Sequence, residues 1–398
     1  MKKNILVFSI AYLIGAMNPA NSFDYLEQYG KADLLITNFW EGPSYNSQDD
    51  TFVTYKIEPS LYVEQGAIDS LIQPRVRVGN SGAGRVDLKE AHISYSLNNV
   101  DFRIGSLIEF WGKTETYNPS DIVNSADYTS GLASPDKLGA PAFKASSEFY
   151  DGYVSFFIFP FFIENVYPGL SSRQRLGKLV NNDRANFSNG GSKNDNSYAL
   201  RFEGYYEDID YGFSYFDGIS REPYFLLGSD SRLLPEYSSI KQIGVDIQYL
   251  VDDISFKTEI VHRTGQRNAN GIMDDYNAGV LGVEKNRYGV LGSQYDLVLL
   301  GEISADSRGN NSHTIFQRDL TVGGSLLLND IDDSEFSLFL TQDLSYSSGT
   351  TRLSYSTRLN DAFTIEAILN LYSNLDQDPS QLPLAKDSSA NVTFNYNW

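Results

Sequence analysis

The chain has 398 residues, no cysteine and a formal net charge of −20 at pH 7. The lack of cysteine excludes disulfides and thiolate metal sites, and the acidic excess argues against nucleic acid as a partner, because phosphate binding needs clustered lysine and arginine. With 27 tyrosines and 24 phenylalanines, the composition favours β-strands.

The first 22 residues have the layout of a secretory signal peptide. Two lysines follow the initiating methionine, residues 5–17 are mostly apolar, and residues 20–22 (Ala-Asn-Ser) form a small-x-small cleavage site. The apolar stretch is shorter than the roughly 20 residues that a membrane-spanning helix needs. We therefore predict a signal peptide over residues 1–22 and an exported domain over residues 23–398.

Apolar and polar residues alternate with a period of two along most of the exported domain. Tyr55 and Ile57 alternate with Lys56 and Glu58, and the same pattern returns near residues 100–104, 198–203, 243–249 and 352–359. Successive side chains of a strand point to opposite faces, so each segment predicts a strand with one apolar and one polar face throughout. A soluble sandwich also alternates, but it rarely leaves so many aromatics on one uncovered face.

The connections between these segments alternate in length. Short links at residues 98–99, 151–152, 207–208, 252–253 and 360–361 are rich in Asn, Asp and Gly, which tolerate the left-handed conformations of tight turns. Long polar links cover residues 112–140, 164–196 and 218–239. This arrangement predicts an all-β fold, a transmembrane antiparallel β-barrel with short periplasmic turns and longer outer loops.

The pattern contains about eighteen strands, and sixteen is the main competing number. An even number places both chain ends and every short turn on the same side of the membrane. The predicted strands are residues 32–40, 52–64, 67–79, 85–97, 100–110, 141–150, 153–160, 197–206, 209–218, 240–250, 254–263, 277–285, 295–305, 314–328, 335–345, 350–359, 362–372 and 388–398.

Charged residues lie on the polar faces of these strands, with acids and bases in nearly equal number. Rings of charge select permeating solutes in channels, although many such residues only solvate a lumen and pair across strands. The fixed fork of arginine matches a carboxylate, so we expect an anionic or zwitterionic solute near Arg103 and Glu109. The predicted pore-lining and solute-binding residues are Arg103, Glu109, Lys144, Arg201, Glu203, Arg352 and Arg358.

One arrangement suggests catalysis. His92-Ile93-Ser94 resembles the His-x-Ser of outer-membrane phospholipase A, where a histidine activates the serine. In the predicted register, however, His92 and Ser94 face the lumen and Ile93 faces lipid, whereas a lipase needs its nucleophile on the lipid side. We therefore predict no catalytic residue, no metal site and no cofactor. An outer-membrane hydrolase and a surface binding or adhesion barrel remain the alternatives.

A long loop is predicted after the strand that ends at Trp111-Gly112. Asn118-Pro119 initiates a turn within it. Residues 113–140 have two possible positions, inside the lumen as an eyelet or over the mouth of the barrel. The Trp-Gly and Asn-Pro-Ser-Asp elements, residues 111–112 and 118–121, together resemble a motif in a group of largely uncharacterised proteobacterial outer-membrane porin-like proteins.

The last eleven residues, SSANVTFNYNW, alternate like the other strands and end on Trp398. A strand that ends the chain on Tyr-x-Trp resembles the closing strand of Gram-negative outer-membrane β-barrels, which their assembly machinery recognises. The two resemblances imply an outer-membrane porin for passive diffusion of small hydrophilic solutes. They also imply outer-membrane lipid, lipopolysaccharide and the barrel-assembly machinery as partners.

Overall fold

In a computed structural model, which describes residues 23–80, 84–132 and 134–398, eighteen antiparallel strands form one closed barrel. The barrel closes because the first strand pairs with the last strand as well as with the second. The predicted fold class and strand number are confirmed, and sixteen is wrong. The predicted signal peptide, residues 1–22, lies outside the described residues. The barrel strands are β1 (Tyr25–Phe39), β2 (Thr51–Gln65), β3 (Ile68–Gly79), β4 (Arg85–Leu97), β5 (Val100–Leu107), β8 (Ala140–Phe149), β9 (Gly152–Phe159), β11 (Ser197–Tyr206), β12 (Ile209–Ile219), β14 (Leu233–Val251), β15 (Ile254–Arg267), β16 (Met273–Arg287), β17 (Asp296–Asp306), β18 (Asp319–Leu327), β19 (Glu335–Asp343), β20 (Gly349–Arg358), β21 (Phe363–Ser373) and β22 (Ser389–Asn397).

Short elements occupy the links between these strands. They are the strands β6 (Ala126–Asp127), β7 (Asp136–Lys137), β10 (Asn186–Ser188) and β13 (Tyr224–Leu227), and single 3₁₀ turns at Val290–Gly292, Gly309–Asn311, Leu375–Gln377 and Leu382–Leu384. Among the described residues, no helix is long and apolar enough to cross a bilayer.

The alternation in the sequence separates the two surfaces of the barrel. Tyr55, Ile93 and Leu281 point outward and leave 58%, 55% and 60% of their surface exposed. Arg201 and Glu259 point inward and are at most 2% exposed. An apolar outer band around a polar interior is the surface of a barrel that spans a membrane.

Short links lie at one end of the barrel, the turn end, and long links at the other, the loop end. Asn98, Glu207 and Asp252 begin two-residue turns with φ between 51° and 53°, a conformation that Asn and Asp adopt at low cost. The link between β8 and β9 is residues 150–151, one residue earlier than predicted, with Tyr150 at φ 50°.

Strand β5 ends at Leu107, earlier than the predicted residue 110. The side chain of Asn124 takes the place of a neighbouring strand here. Its Oδ1 accepts the Glu109 N–H at 2.9 Å, and its Nδ2 donates to the carbonyls of Leu107 and Leu138 at 2.8 Å each. These bonds satisfy the backbone groups as the chain leaves the sheet.

The seam between β1 and β22 ends on a close contact. Gly30 and Trp398 exchange two backbone hydrogen bonds, with N···O distances of 3.0 and 3.1 Å. A Cβ atom on Gly30 would lie 2.3 Å from the indole ring of Trp398. Glycine therefore makes room for the terminal aromatic at the point where the barrel closes.

Candidate functional site: the lumen and its constriction loop

The loop between β5 and β8, residues 108–139, folds into the lumen, and we call it the constriction loop. Its first limb is bound to Glu259 on the inner wall of β15. The Glu259 carboxylate accepts the backbone N–H of Lys113 at 2.7 Å and of Thr114 at 3.0 Å, and the Asn118 side-chain amide at 2.9 Å. The eyelet position, which the sequence left open, is therefore the one that the loop adopts.

A second carboxylate on the wall extends this attachment. Glu302 of β17 accepts the backbone N–H groups of Glu115 and Thr116 at 2.8 and 2.9 Å. Charged acceptors make stronger hydrogen bonds than neutral ones. Two inward-facing glutamates thus hold four consecutive loop residues, 113–116, across the barrel from where the loop begins.

Gly112 allows the loop backbone to lie this close to Glu259. It has φ 147°, and a Cβ there would lie 2.6 Å from Glu259 Oε1 and 2.7 Å from Asn118 Nδ2. Only glycine adopts such a conformation without strain and leaves that space empty. The Trp-Gly and Asn-Pro elements found in the sequence therefore meet at the Glu259 carboxylate.

An apolar cluster holds the loop on its other side. Trp111, Ile122 and Val123 are at most 2% exposed and pack against inward-facing Phe157 and Phe159. The sequence predicts that the inner face of the barrel is polar throughout, and this prediction is wrong at β9. The sequence carried a signal for it, because residues 153–159 (YVSFFIF) are apolar almost without interruption, as in strands covered on both faces.

The returning limb of the loop, residues 127–132 and 134–137, is bound to β3. Arg77 forms ion pairs with Asp127 at 2.5 Å and with Asp136 at 3.1 Å. Arg75 pairs with Asp87 at 2.6 Å and donates to the Lys137 carbonyl at 3.1 Å. The loop is consequently held at both limbs.

The lumen stays open between this returning limb and the wall of β1, β2 and β18–β22. Three cavities adjoin there, because Ser134 lines all of them. One, of about 250 Å³, has three basic and three acidic lining residues, which are Lys31, Asp33, Lys56, Arg77, Asp136 and Glu366. The open passage is polar and nearly balanced in charge.

Arg173 ties three loops together at the loop end. Its guanidinium is fully buried, pairs with Asp50 at 2.6 Å and Asp387 at 3.0 Å, and donates to the carbonyls of Glu41 and Lys386. Such a charge-assisted network favours one arrangement of the mouth.

The Asp387 contact gives a testable pH dependence. Burial raises the pKa of the Asp387 carboxyl to about 6, although the Arg173 guanidinium acts in the opposite direction. An unfolded aspartate has a pKa of about 3.9, so ionised Asp387 lowers the stability of the fold above pH 6. That loss is relieved as the pH falls toward 4. We expect Asp387→Asn to remove this part of the pH dependence when denaturant midpoints of the two proteins are compared from pH 4 to 8. Parallel curves for the two proteins would contradict the assignment.

The predicted site residues fall into several environments. Lys144 pairs with Glu109 at 2.9 Å, beneath the start of the constriction loop. Arg103 donates to Ser94 at 3.2 Å and lines a turn-end cavity that Lys144 also lines.

Arg201 and its neighbours form a neutralised group. Arg201 pairs with Asp246 at 2.5 Å and with Glu203 at 3.1 Å, and its guanidinium lies 5.7 Å from the centre of the Trp111 ring. Arg201 and Asp246 are almost fully buried, whereas the Glu203 side chain is 55% exposed. Arg201 thus contacts the constriction loop through the ring of Trp111.

The last two predicted residues lie on β20. Arg358 pairs with Asp333 at 3.0 Å at the turn end. Arg352 lines two of the three adjoining cavities. Sequence reasoning missed Glu302, Asp319 and Asp343 as lumen groups.

His92 and Ser94 both face the lumen, 8% and 6% exposed, while Ile93 between them points outward. The predicted orientation of these residues is confirmed. The Ser94 hydroxyl accepts from Arg103. Among the residues that the structure describes, no group of three or more His, Asp or Glu side chains is placed to hold a metal ion.

These features define a transmembrane β-barrel of the size that leaves an aqueous lumen. No protein-family model matches the sequence, and no curated protein matches it significantly. The fold is similar to that of the outer membrane protein OprD from Pseudomonas aeruginosa, with a TM-score of 0.56, 10% identity and 95% of each chain covered. It is also similar to Pseudomonas aeruginosa OccK5 (OpdH), with a TM-score of 0.54, 8% identity and coverage of 95% of this chain and 99% of that one. Acinetobacter baumannii OccAB4 has a TM-score of 0.54 at 9% identity, with coverage of 94% and 98%. At these identities the likeness is one of fold.

Proposed function

We propose that this protein is an outer-membrane porin through which small hydrophilic solutes diffuse down their own gradient. The observation that carries the proposal is the row of adjoining polar cavities beside a loop bound inside the barrel. A barrel of 16–18 strands leaves an aqueous channel, and an inward loop narrows it to the size of small solutes.

Membership of the porin-like group with the Trp-Gly and Asn-Pro-Ser-Asp elements is part of the proposal. Its support is the role of those residues in this chain. Gly112 and Asn118 lie against Glu259, and Asp121 pairs with Lys137 at 2.5 Å. In this chain the motif residues therefore bind both the barrel wall and another part of the same loop.

The location and partners follow from the same proposal. The apolar outer band requires lipid, and lipopolysaccharide would surround the loop end in an outer membrane. The fold neighbour OprD is an outer membrane protein. The closing strand β22, with Phe394, Tyr396 and Trp398 outward, would be the segment that the barrel-assembly machinery recognises.

Conductance in planar bilayers tests the proposal. The refolded protein should give stepwise, ohmic current increments, and liposomes that contain it should swell in sugars and amino acids. Folded protein without channel events would favour a hydrolase or an adhesion barrel. A phospholipase assay on the parent and on a His92→Ala variant then separates these two alternatives.

Ion selectivity is a second expected result. The lining charges of the open passage are nearly balanced, so most of the net charge of −20 acts from loops and turns. Carboxylates at the mouth raise the local cation concentration, an effect that 0.15 M salt screens within about 8 Å. We expect a weak cation preference at low salt that fades as salt rises, as measured by reversal potentials at two ionic strengths. Strong anion selectivity at low salt would contradict it.

A further inference from the structure

One of the three adjoining cavities has charges of opposite sign at its two ends. It has a volume of about 170 Å³ and lies against the inner wall of β18–β21, with Ser134 of the constriction loop on its other side. Asp319, Asp343 and Arg352 all line it.

The acidic end is a pair of carboxylates. Asp319 of β18 and Asp343 of β19 lie directly opposite each other in the ladder, and they are 4% and 2% exposed. Gln317 Nε2 donates to Asp343 at 2.6 Å, and the Arg318 N–H donates to Asp319 at 3.1 Å. Neither carboxylate has an ion-pair partner in the part of the chain that the structure describes. Two adjacent carboxylates held out of bulk water attract a cation strongly.

The basic end is a single arginine. The side chain of Arg352 is exposed to the lumen, and it forms no hydrogen bond or ion pair with any described residue. Arg75, Arg173, Arg201 and Arg263, by contrast, each pair with a carboxylate at 3.0 Å or less. An unpaired guanidinium at a passage presents its fork to a solute anion.

The ladder sets the distance between the two ends. Arg352 is opposite Phe339 on β19, and Asp343 lies four residues farther along that strand. At a rise of about 3.4 Å per residue, this corresponds to about 14 Å of strand. The two side chains cover part of that distance and leave a gap of several bond lengths. Ile315, Phe316 and Leu384 supply apolar surface in the same cavity.

We infer that this cavity binds a zwitterion whose ammonium and carboxylate groups are separated by several methylenes, as in an ω-amino acid. The ammonium lies at the Asp319 and Asp343 pair, the carboxylate lies at Arg352, and the methylenes contact the apolar wall. The inference rests on the proposed channel and specifies a class of solute that the channel retains. The α-ammonium and the carboxylate of an α-amino acid cannot contact both ends at once, because a single carbon separates them.

Current block by matched probes tests the inference. The probes are 6-aminohexanoate, its isomer 2-aminohexanoate with adjacent charges, hexanoate and 1-aminohexane. We expect the half-blocking concentration of 6-aminohexanoate to be about tenfold lower than that of each other probe, as loss of one charged contact predicts. Arg352→Gln and Asp319→Asn should each remove this advantage, while Arg287→Gln, an exposed arginine outside the cavity, should keep it.

The outcomes separate the two proposals. Open channels that 2-aminohexanoate blocks as well as 6-aminohexanoate, or an unchanged block in Arg352→Gln, would overturn the inference and leave the porin intact. If the folded protein gives no current, the porin proposal fails, and calorimetric titration of the detergent-folded barrel with the same four probes still tests the site. Absence of preferential 6-aminohexanoate binding there would overturn the inference directly.

Discussion

Replacing both Glu259 and Glu302 by alanine should widen the channel. The double variant removes the acceptors of at least five hydrogen bonds to the constriction loop, and each hydrogen bond to a charged group contributes about 1.5–3 kcal/mol. The first limb then leaves the wall, although the Trp111 cluster and Arg77 still hold the rest of the loop. We expect single-channel conductance in planar bilayers to rise about twofold or more, with noisier open states.

Matched variants make this result specific. Glu335→Ala removes a glutamate of β19 whose side chain bonds to Ser337, and it should leave conductance unchanged. Glu259→Gln should have a smaller effect than Glu259→Ala, since the amide keeps one acceptor oxygen. A double variant with parental conductance and noise would show that the two carboxylates do not position the loop.

Gly30→Leu should destabilise the closed barrel. The new Cβ would lie 2.3 Å from the Trp398 ring, and a clash of this kind costs about 1–3 kcal/mol even where neighbours relax. Because about 1.4 kcal/mol corresponds to a tenfold change in an equilibrium constant, we expect the ratio of folded to unfolded protein to fall about tenfold at a given urea concentration. The measurement is the fraction that migrates as the compact, heat-modifiable band on gels of unboiled samples taken across a urea series.

Two comparisons isolate the cause. Gly301→Leu places the same side chain on the outward face of β17, where the new Cβ would have its nearest neighbour, Val283 Cγ1, at 3.8 Å, so folding should persist. Adding Trp398→Ala to Gly30→Leu should restore part of the folded band, because it removes the ring that the leucine meets. Equal folding of the Gly30 and Gly301 variants would refute the role of this contact.

The barrel itself was predictable because its information is local. A period of two places Tyr55 outward and Lys56 inward whatever the rest of the chain does. Asn98 and Asp252 adopt positive φ in their turns because Asn and Asp side chains tolerate the left-handed conformation. The number of strands followed from counting the alternating segments between turns. The errors in strand bounds lie at strand ends, such as that of β5, where the Asn124 side chain replaces a neighbouring strand as the hydrogen-bond partner.

The amino-acid sequence by itself determined the strands, the turn and loop ends, the closing strand and most of the inward charged residues, although not Glu302, Asp319 or Asp343. Only the tertiary structure decided where the constriction loop lies, because its partner Glu259 is 145 residues from Thr114 in the chain, and no local pattern encodes such a pairing. It also decided which inward charges remain available. Arg201 and Arg352 look alike in sequence, yet the barrel places Asp246 at 2.5 Å from Arg201 and leaves the Arg352 guanidinium facing the passage. Pairing of charges depends on distances across the lumen, and those distances exist only once the sheet has closed.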